Sequence, residues 1–209
     1  NDKNFRLKLP AELEFQCTEE ALRLGLPATA WYVCIHVREG GYSKDETNFR
    51  NSDIKNYIES IKYITSQGGW VIRMGDPSMQ KLPSMEQVID YANHPAKNAL
   101  LDIYLIEGCD FFIGTSSGMI HVAELFNKPM LFTNAVSYLN DLPQKPQDLI
   151  IFKHVKSKSM NRELSLREWL DSCDKIQTST WSSTDWEYTE NTSLEILTAT
   201  RQFLSYRPQ

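Results

Sequence analysis

The chain has 209 residues, 41% hydrophobic and 23% charged, enough for one sizeable core and an appendage. With 27 acidic against 22 basic residues and a net charge of −5, it does not suit a general nucleic-acid binder, although a local basic spot would still suit a small phosphate ligand. No apolar run approaches the roughly 20 residues needed to span a bilayer.

Residues 1–28 hold a helix-like stretch, "AELEFQCTEEALRLGL", ahead of the first strand. "ATAWYVCIHVREGG" carries a continuous apolar run that ends in charge and glycine, the pattern of a strand buried on both faces. In "NSDIKNYIESIKYITSQGG", Ile54, Tyr57, Ile58, Ile61 and Ile64 recur at helical steps, with Ser52 as the expected N-cap and Gly68–Gly69 as the stop. "WVIRMGDP" reads as a second strand, "MEQVIDYANHP" as a short helix and "NALLDIYLIEGC" as a longer one. "DFFIGTSS" is a third strand and "GMIHVAELFNK" the helix after it, followed by strands "PMLFTNA" and "DLIIFKHV". Residues 159–177 read as helical, "TSTWSSTDWEYTENTS" as loop and "LEILTATRQFLS" as a closing helix.

Strands alternating with helices predict an α/β fold, a largely parallel sheet with helices on both faces. The expected division is an N-terminal helical segment over 1–28, a sheet domain over 29–156 and a helical extension over 157–209 that packs on the same domain. The four cysteines, Cys17, Cys34, Cys109 and Cys173, form no C-x-x-C pair and have no histidine at metal spacing. They read as buried reduced thiols, in keeping with a cytoplasmic setting, at most against the inner face of a membrane.

In an open parallel sheet, ligands gather beyond the carboxyl ends of the strands. The small residues Gly114, Thr115, Ser116, Ser117 and Gly118 stand where a strand passes into a helix. Such a turn offers backbone N–H groups and the positive end of a helix to a diphosphate, with hydroxyls as further donors. A serine that merely caps the helix, and a glycine that merely permits a turn, account for the same residues. His36 and Arg38 lie two apart at the end of the first strand, where an arginine can clamp a diphosphate. In the loop that follows, Asp45 or Glu46 can accept a proton from an attacking hydroxyl, beside Lys44. Arg73 and Asp76, both candidate substrate-binding residues, close the second strand, where Asp76 can accept from a base or ribose or simply start an Asp-Pro turn.

"HVR", Glu46 ten residues after His36, and "NFR" leading into a helix together resemble the His-x-Arg region of the fucosyltransferase-like superfamily. That group includes core α1,6-fucosyltransferases, nodulation fucosyltransferases and protein O-fucosyltransferases. "WVIRMGDPS" and "LLDIYLIEGCDFFIGTSSGMIHVAELF" resemble further segments of it in the same order, over about residues 30–130. The serine loop also resembles the donor-site motif of heptosyltransferases, which share the two-domain GT-B architecture.

The resemblance implies a Rossmann-like donor domain, the C-terminal half of a GT-B enzyme, inverting and independent of metal or other cofactor, with a GDP-fucose-like nucleotide sugar as donor. It places Arg38 on the diphosphate, Asp76 near the nucleoside, Thr115, Ser116 and Ser117 on phosphate, Glu46 as base and His36 in support. Glu39 replaces the second arginine of the α1,6 branch, so Arg73 or Lys44 would have to offset it. The chain has room for one such domain and begins at Asn1, so it is expected to be cut from a longer protein whose N-terminal domain binds a glycan or other hydroxyl acceptor. The alternatives are a non-catalytic nucleotide-sugar or phosphate-ligand module, a heptosyltransferase-like enzyme using another nucleotide sugar, or a hydrolase or epimerase of that architecture. His121 and Glu124 read as surface or packing residues.

Overall fold

A computed structural model describes residues 7–41, 49–136, 145–173 and 185–206. Six strands, β1 (Tyr32–His36), β2 (Trp70–Arg73), β3 (Val88–Ile89), β4 (Phe111–Gly114), β5 (Met130–Ala135) and β6 (Leu149–Phe152), form one sheet in the order β3-β2-β1-β4-β5-β6. Every neighbouring pair is parallel. The order reverses between β1 and β4, which pair directly from Val33↔Phe111 to His36↔Gly114. That junction is the crevice where a doubly wound sheet accepts ligands.

The strands are mostly apolar because both faces are covered, with His36 and Arg73 at strand ends and Thr133 and Asn134 in β5 as buried polar exceptions. Alternate residues face opposite ways: Cys34, Ile72 and Phe112 join one core, while Val33, Ile35, Val71, Phe111 and Ile113 join the other. The first core is closed by α1 (Ala11–Arg23), α3 (Ala99–Gly108) and α4 (Gly118–Leu125), through Cys17, Ala21, Leu101, Leu105, Ile120 and Ala123. The second is closed by α2 (Ile58–Ser66) and α6 (Ser193–Ser205), through Ile61, Ile64, Ile196, Ala199 and Phe203. Cys17, Cys34 and Cys109 are buried free thiols, as expected.

Several local expectations are corrected. A 3-10 turn over Ile54–Tyr57 precedes α2, and Asp53 rather than Ser52 caps it, accepting from Lys55 N at 2.9 Å. Ser52 is buried and its backbone N–H donates to Arg38 O at 2.9 Å. The expected short helix at 85–95 is instead β3 and a 3-10 turn over Tyr91–Asn93, because Val88 and Ile89 pair with β2 at the sheet edge. The run "DLIIFKHV" divides at Lys153 into β6 and β7 (His154–Ser157), which belong to different sheets.

The C-terminal extension, expected to be helical, carries a three-stranded antiparallel sheet in the order β8-β7-β9. Its outer strands are β8 (Arg162–Glu163) and β9 (Trp186–Thr189), and α5 (Leu166–Cys173) is shorter than the helix read from sequence. In β9 the half-buried Trp186 and Tyr188 alternate with exposed Glu187 and Thr189, a period-two pattern of strand-favouring residues inside a stretch read as loop. The chain then returns to the main sheet through reciprocal bonds: Asn134 N donates to Asn191 Oδ1 and Asn191 N to Asn134 Oδ1, both at 2.7 Å. A full capping box of Thr192 and Glu195 starts α6.

Candidate functional site

At the β1–β4 junction two strand ends are stitched together by Thr115. Its N–H donates to His36 O at 3.2 Å, and its hydroxyl accepts from Arg38 N at 2.9 Å. Arg38 is thereby held just past the end of β1, beside the start of α4. A cleft of about 520 Å³ opens here. His36, Arg38 and Glu39 form one wall, Gly75, Asp76 and Met79 from the end of β2 a second, and Ser117, Gly118 and Met119 at the start of α4 a third.

Ser117 stands at the N-cap position of α4 but makes no capping bond. Its Oγ lies 2.9 Å from His36 Nδ1 instead. The serine therefore does not play the capping role that sequence alone left open. Gly118 suits the opening of the helix, since a Cβ there would meet nothing within 4 Å and the backbone faces open space. Gly114 serves packing: a Cβ there would lie 2.7 Å from Phe112 Cε1 and 3.0 Å from Ile120 Cγ1.

His36 is only 5% exposed. Burial first, then the positive charges of Arg73, Arg38 and Lys97, push its pKa down to about 4 against the opposing pull of Asp76. The imidazole is neutral at neutral pH, so it contributes a hydrogen bond rather than a charge to the site.

Arg73 was expected to touch ligand, and its position corrects that. Its side chain is fully buried, ion-paired to Glu39 Oε1 at 2.8 Å and to Asp90 Oδ1 at 3.3 Å. Glu39 Oε2 also accepts from Gln80 N at 2.7 Å, and Asp90 Oδ2 from Leu82 N at 3.0 Å. Arg73 therefore offsets the acidic Glu39 and anchors the 76–82 segment that walls the cleft, acting on the site from beneath. Of the two cations that sequence offered against Glu39, Arg73 pairs with it, and Lys44 lies outside the described residues. Thr115 is likewise buried and spends its hydroxyl on Arg38 N. Ser116, 9% exposed, does not line the cleft.

Asp76 lines the cleft and also forms the turn that sequence allowed, accepting from Ser78 N at 2.9 Å. Lys44, Asp45 and Glu46 lie outside the described residues. Sequence reading missed the fourth wall, where Lys97 and Asp102 meet across the start of α3. The ammonium is 2.6 Å from each Asp102 oxygen. The one signal available was a lysine directly before Asn98, which caps α3 by accepting from Leu101 N at 2.9 Å.

Among the described residues no three His, Cys, Asp or Glu side chains converge as metal ligands would, and no helix is long and apolar enough to cross a membrane. His121 and Glu124 form an exposed pair at 2.7 Å, as their surface reading implied. A larger groove of about 630 Å³ follows the outer edge of β6, against α5 and α6, away from the β1–β4 junction.

No protein-family model matches the sequence, and no curated protein matches it significantly. Solved structures do share the fold. A family 9 glycosyl transferase of Veillonella parvula superposes with a TM-score of 0.63 at 12% identity, over 99% of this chain and 55% of its own. The ADP-heptose LPS heptosyltransferase II of E. coli superposes with a TM-score of 0.58 at 13% identity, over 96% of this chain and 53% of its own. The chain thus has the Rossmann-like α/β fold found in these glycosyltransferases and spans about half the length of each. Neither neighbour is named as a fucosyltransferase, and at 12–13% identity the likeness shows the shared fold alone.

Proposed function

We propose that the chain is the donor-binding, C-terminal half of a GT-B glycosyltransferase that uses a nucleotide sugar. The observation that carries this reading is the meeting of Arg38 with the open N-terminus of α4, at the carboxyl ends of adjacent parallel strands. A diphosphate placed there receives the guanidinium from one side and the Gly118 and Met119 amides with the helix dipole from the other. These groups stabilise the leaving nucleoside diphosphate as the bond from the anomeric carbon to its phosphate oxygen breaks. Neutral His36 orients Ser117 at the same spot. An acceptor hydroxyl, losing its proton to Glu46 or Asp45, attacks from the opposite face, which inverts the sugar. This scheme needs neither a metal nor another cofactor. The acceptor, a glycan or other hydroxyl compound, would be presented by a further domain of the same protein.

Two donors follow from different observations. The His36-x-Arg38 pattern favours a GDP-fucose-like sugar, while the fold neighbours, one of them named for ADP-heptose, favour the heptosyltransferase-like alternative. A thermal-shift panel of GDP, ADP, UDP and their sugars tests the reading. Stabilisation by one nucleoside diphosphate supports it and selects the donor, whereas stabilisation by none removes it. In a full-length protein, Glu46→Gln should abolish turnover and leave donor binding intact. Unchanged turnover would exclude Glu46 as the base, and retained binding without any turnover in the parent would favour a binding module.

A further inference from the structure

The wall that sequence reading missed differs in chemistry from the rest of the cleft. Arg38 and the start of α4 bring a guanidinium and the positive end of a helix to one side of it. Lys97 and Asp102 instead form a nearly neutral unit, a cation 2.6 Å from both oxygens of one carboxylate. Such a unit gains little from a phosphate, because the carboxylate repels what the ammonium attracts. It suits an uncharged group that presents an acceptor beside a donor. The edge of a nucleobase is such a group.

The pair is held in place. The Lys97 ammonium sits 5.2 Å from the centre of the Tyr91 ring, in cation–π range. The two side chains are 17% and 21% exposed, mostly buried yet open to the cleft they line. Met79 on one side and Met119 and Val122 on the other supply apolar, adaptable surfaces within the same cleft.

We infer that Lys97 and Asp102 read the base of the bound nucleotide and set which nucleoside diphosphate the cleft accepts. This rests on the donor-binding reading above. Lys97 donates to a ring carbonyl or ring nitrogen, and Asp102 accepts from the neighbouring N–H. The free oxygen lone pairs of Asp102 leave it able to do so while still paired. A base that mismatches this order sets donor against donor and acceptor against acceptor at a mostly buried pair, and a site built to hydrogen-bond its ligand rejects such a mismatch.

Calorimetric titration of the 209-residue chain with GDP, ADP, UDP and inorganic pyrophosphate tests this, using Lys97→Met, Asp102→Asn and the exchanged pair Lys97→Asp/Asp102→Lys. The expected result is that the two single variants weaken the preferred nucleotide about 10- to 100-fold, in line with a hydrogen bond to a charged group. Pyrophosphate affinity should stay within about twofold, which also shows that each variant is folded, and the preference among bases should shrink or, in the exchanged pair, change. If the variants keep the wild-type preference, the inference is overturned and the donor reading stands. If pyrophosphate weakens as much as the nucleotides, Lys97 is a phosphate ligand and base reading is overturned. If the wild-type chain binds pyrophosphate but shows no base preference, the inference fails, and if it binds none of the four, the donor reading fails with it.

Discussion

The Ser117 hydroxyl lies 2.9 Å from His36 Nδ1, so the residue that opens α4 is tied to the neighbouring strand instead of to its own helix. The first residues of α4 line the cleft without a side-chain cap, and a buried histidine gains its partner. The bond joins the two strand ends on which the site is built, and its histidine makes the stability of the site sensitive to acid.

The pH dependence has a definite sign. In the unfolded chain His36 takes up a proton near its ordinary 6.5, while in the folded chain it does so only at about 4. Stability from this group is therefore full above pH 6.5 and falls as pH drops through the window between the two values. It is constant again below about 4, after a total loss of about 3 kcal/mol. Chemical unfolding at pH 7, 5.5 and 4.5 measures the slope. His36→Asn should flatten it, and an unchanged slope would count against the assignment.

Arg38 should matter for ligand and little for folding. Arg38→Met keeps the aliphatic stem and the backbone bond to Thr115 but removes the cation. Nucleoside diphosphate affinity should fall about 10- to 100-fold, with a weaker salt dependence, while the melting temperature moves little. Titration at two ionic strengths reads both effects, and wild-type affinity would rule Arg38 out as a phosphate ligand.

Arg73 should behave in the opposite way. Arg73→Met leaves Glu39 and Asp90 facing one another without their shared cation, which should cost about 3–5 kcal/mol in denaturant unfolding. Glu39→Gln leaves Arg73 with Asp90 and should cost less. A loss below about 1 kcal/mol for Arg73→Met would mean that the buried ion pairs do not hold the 76–82 wall.

Gly75 stands at φ 142, a backbone region that side chains rarely adopt, and it lines the cleft between β2 and Asp76. Gly75→Ala should destabilise by about 1–3 kcal/mol and weaken ligand binding by shifting this wall. Equal stability with unchanged binding would show that the turn relaxes freely.

Local sequence already carried much of the fold. Runs such as Tyr32–Ile35 and Phe111–Ile113 are apolar without alternation, the pattern of a strand buried on both faces. Helical spacing identified α2, α4 and α6 for the same kind of reason, since each buries one face. Shortness hid β3, and polar neighbours hid β9 despite its strand-favouring residues. Val88–Ile89 and Trp186–Thr189 become strands only because a partner strand lies beside them.

The candidate site divides in the same way. The positions of His36, Arg38, Ser117 and Gly118 follow from their place at strand ends, which is a one-dimensional fact. Which cations meet ligand and which meet carboxylates is decided by distances between segments far apart in the chain. Arg73 is drawn under the sheet edge by Glu39 and Asp90, and Lys97 comes to the cleft because α3 packs beside α4. Periodicity and turn chemistry act between near neighbours, so sequence alone determined the layers and the edge that carries the candidate site. Electrostatic pairing acts through space, so only the tertiary structure decided which charges remain to face a ligand.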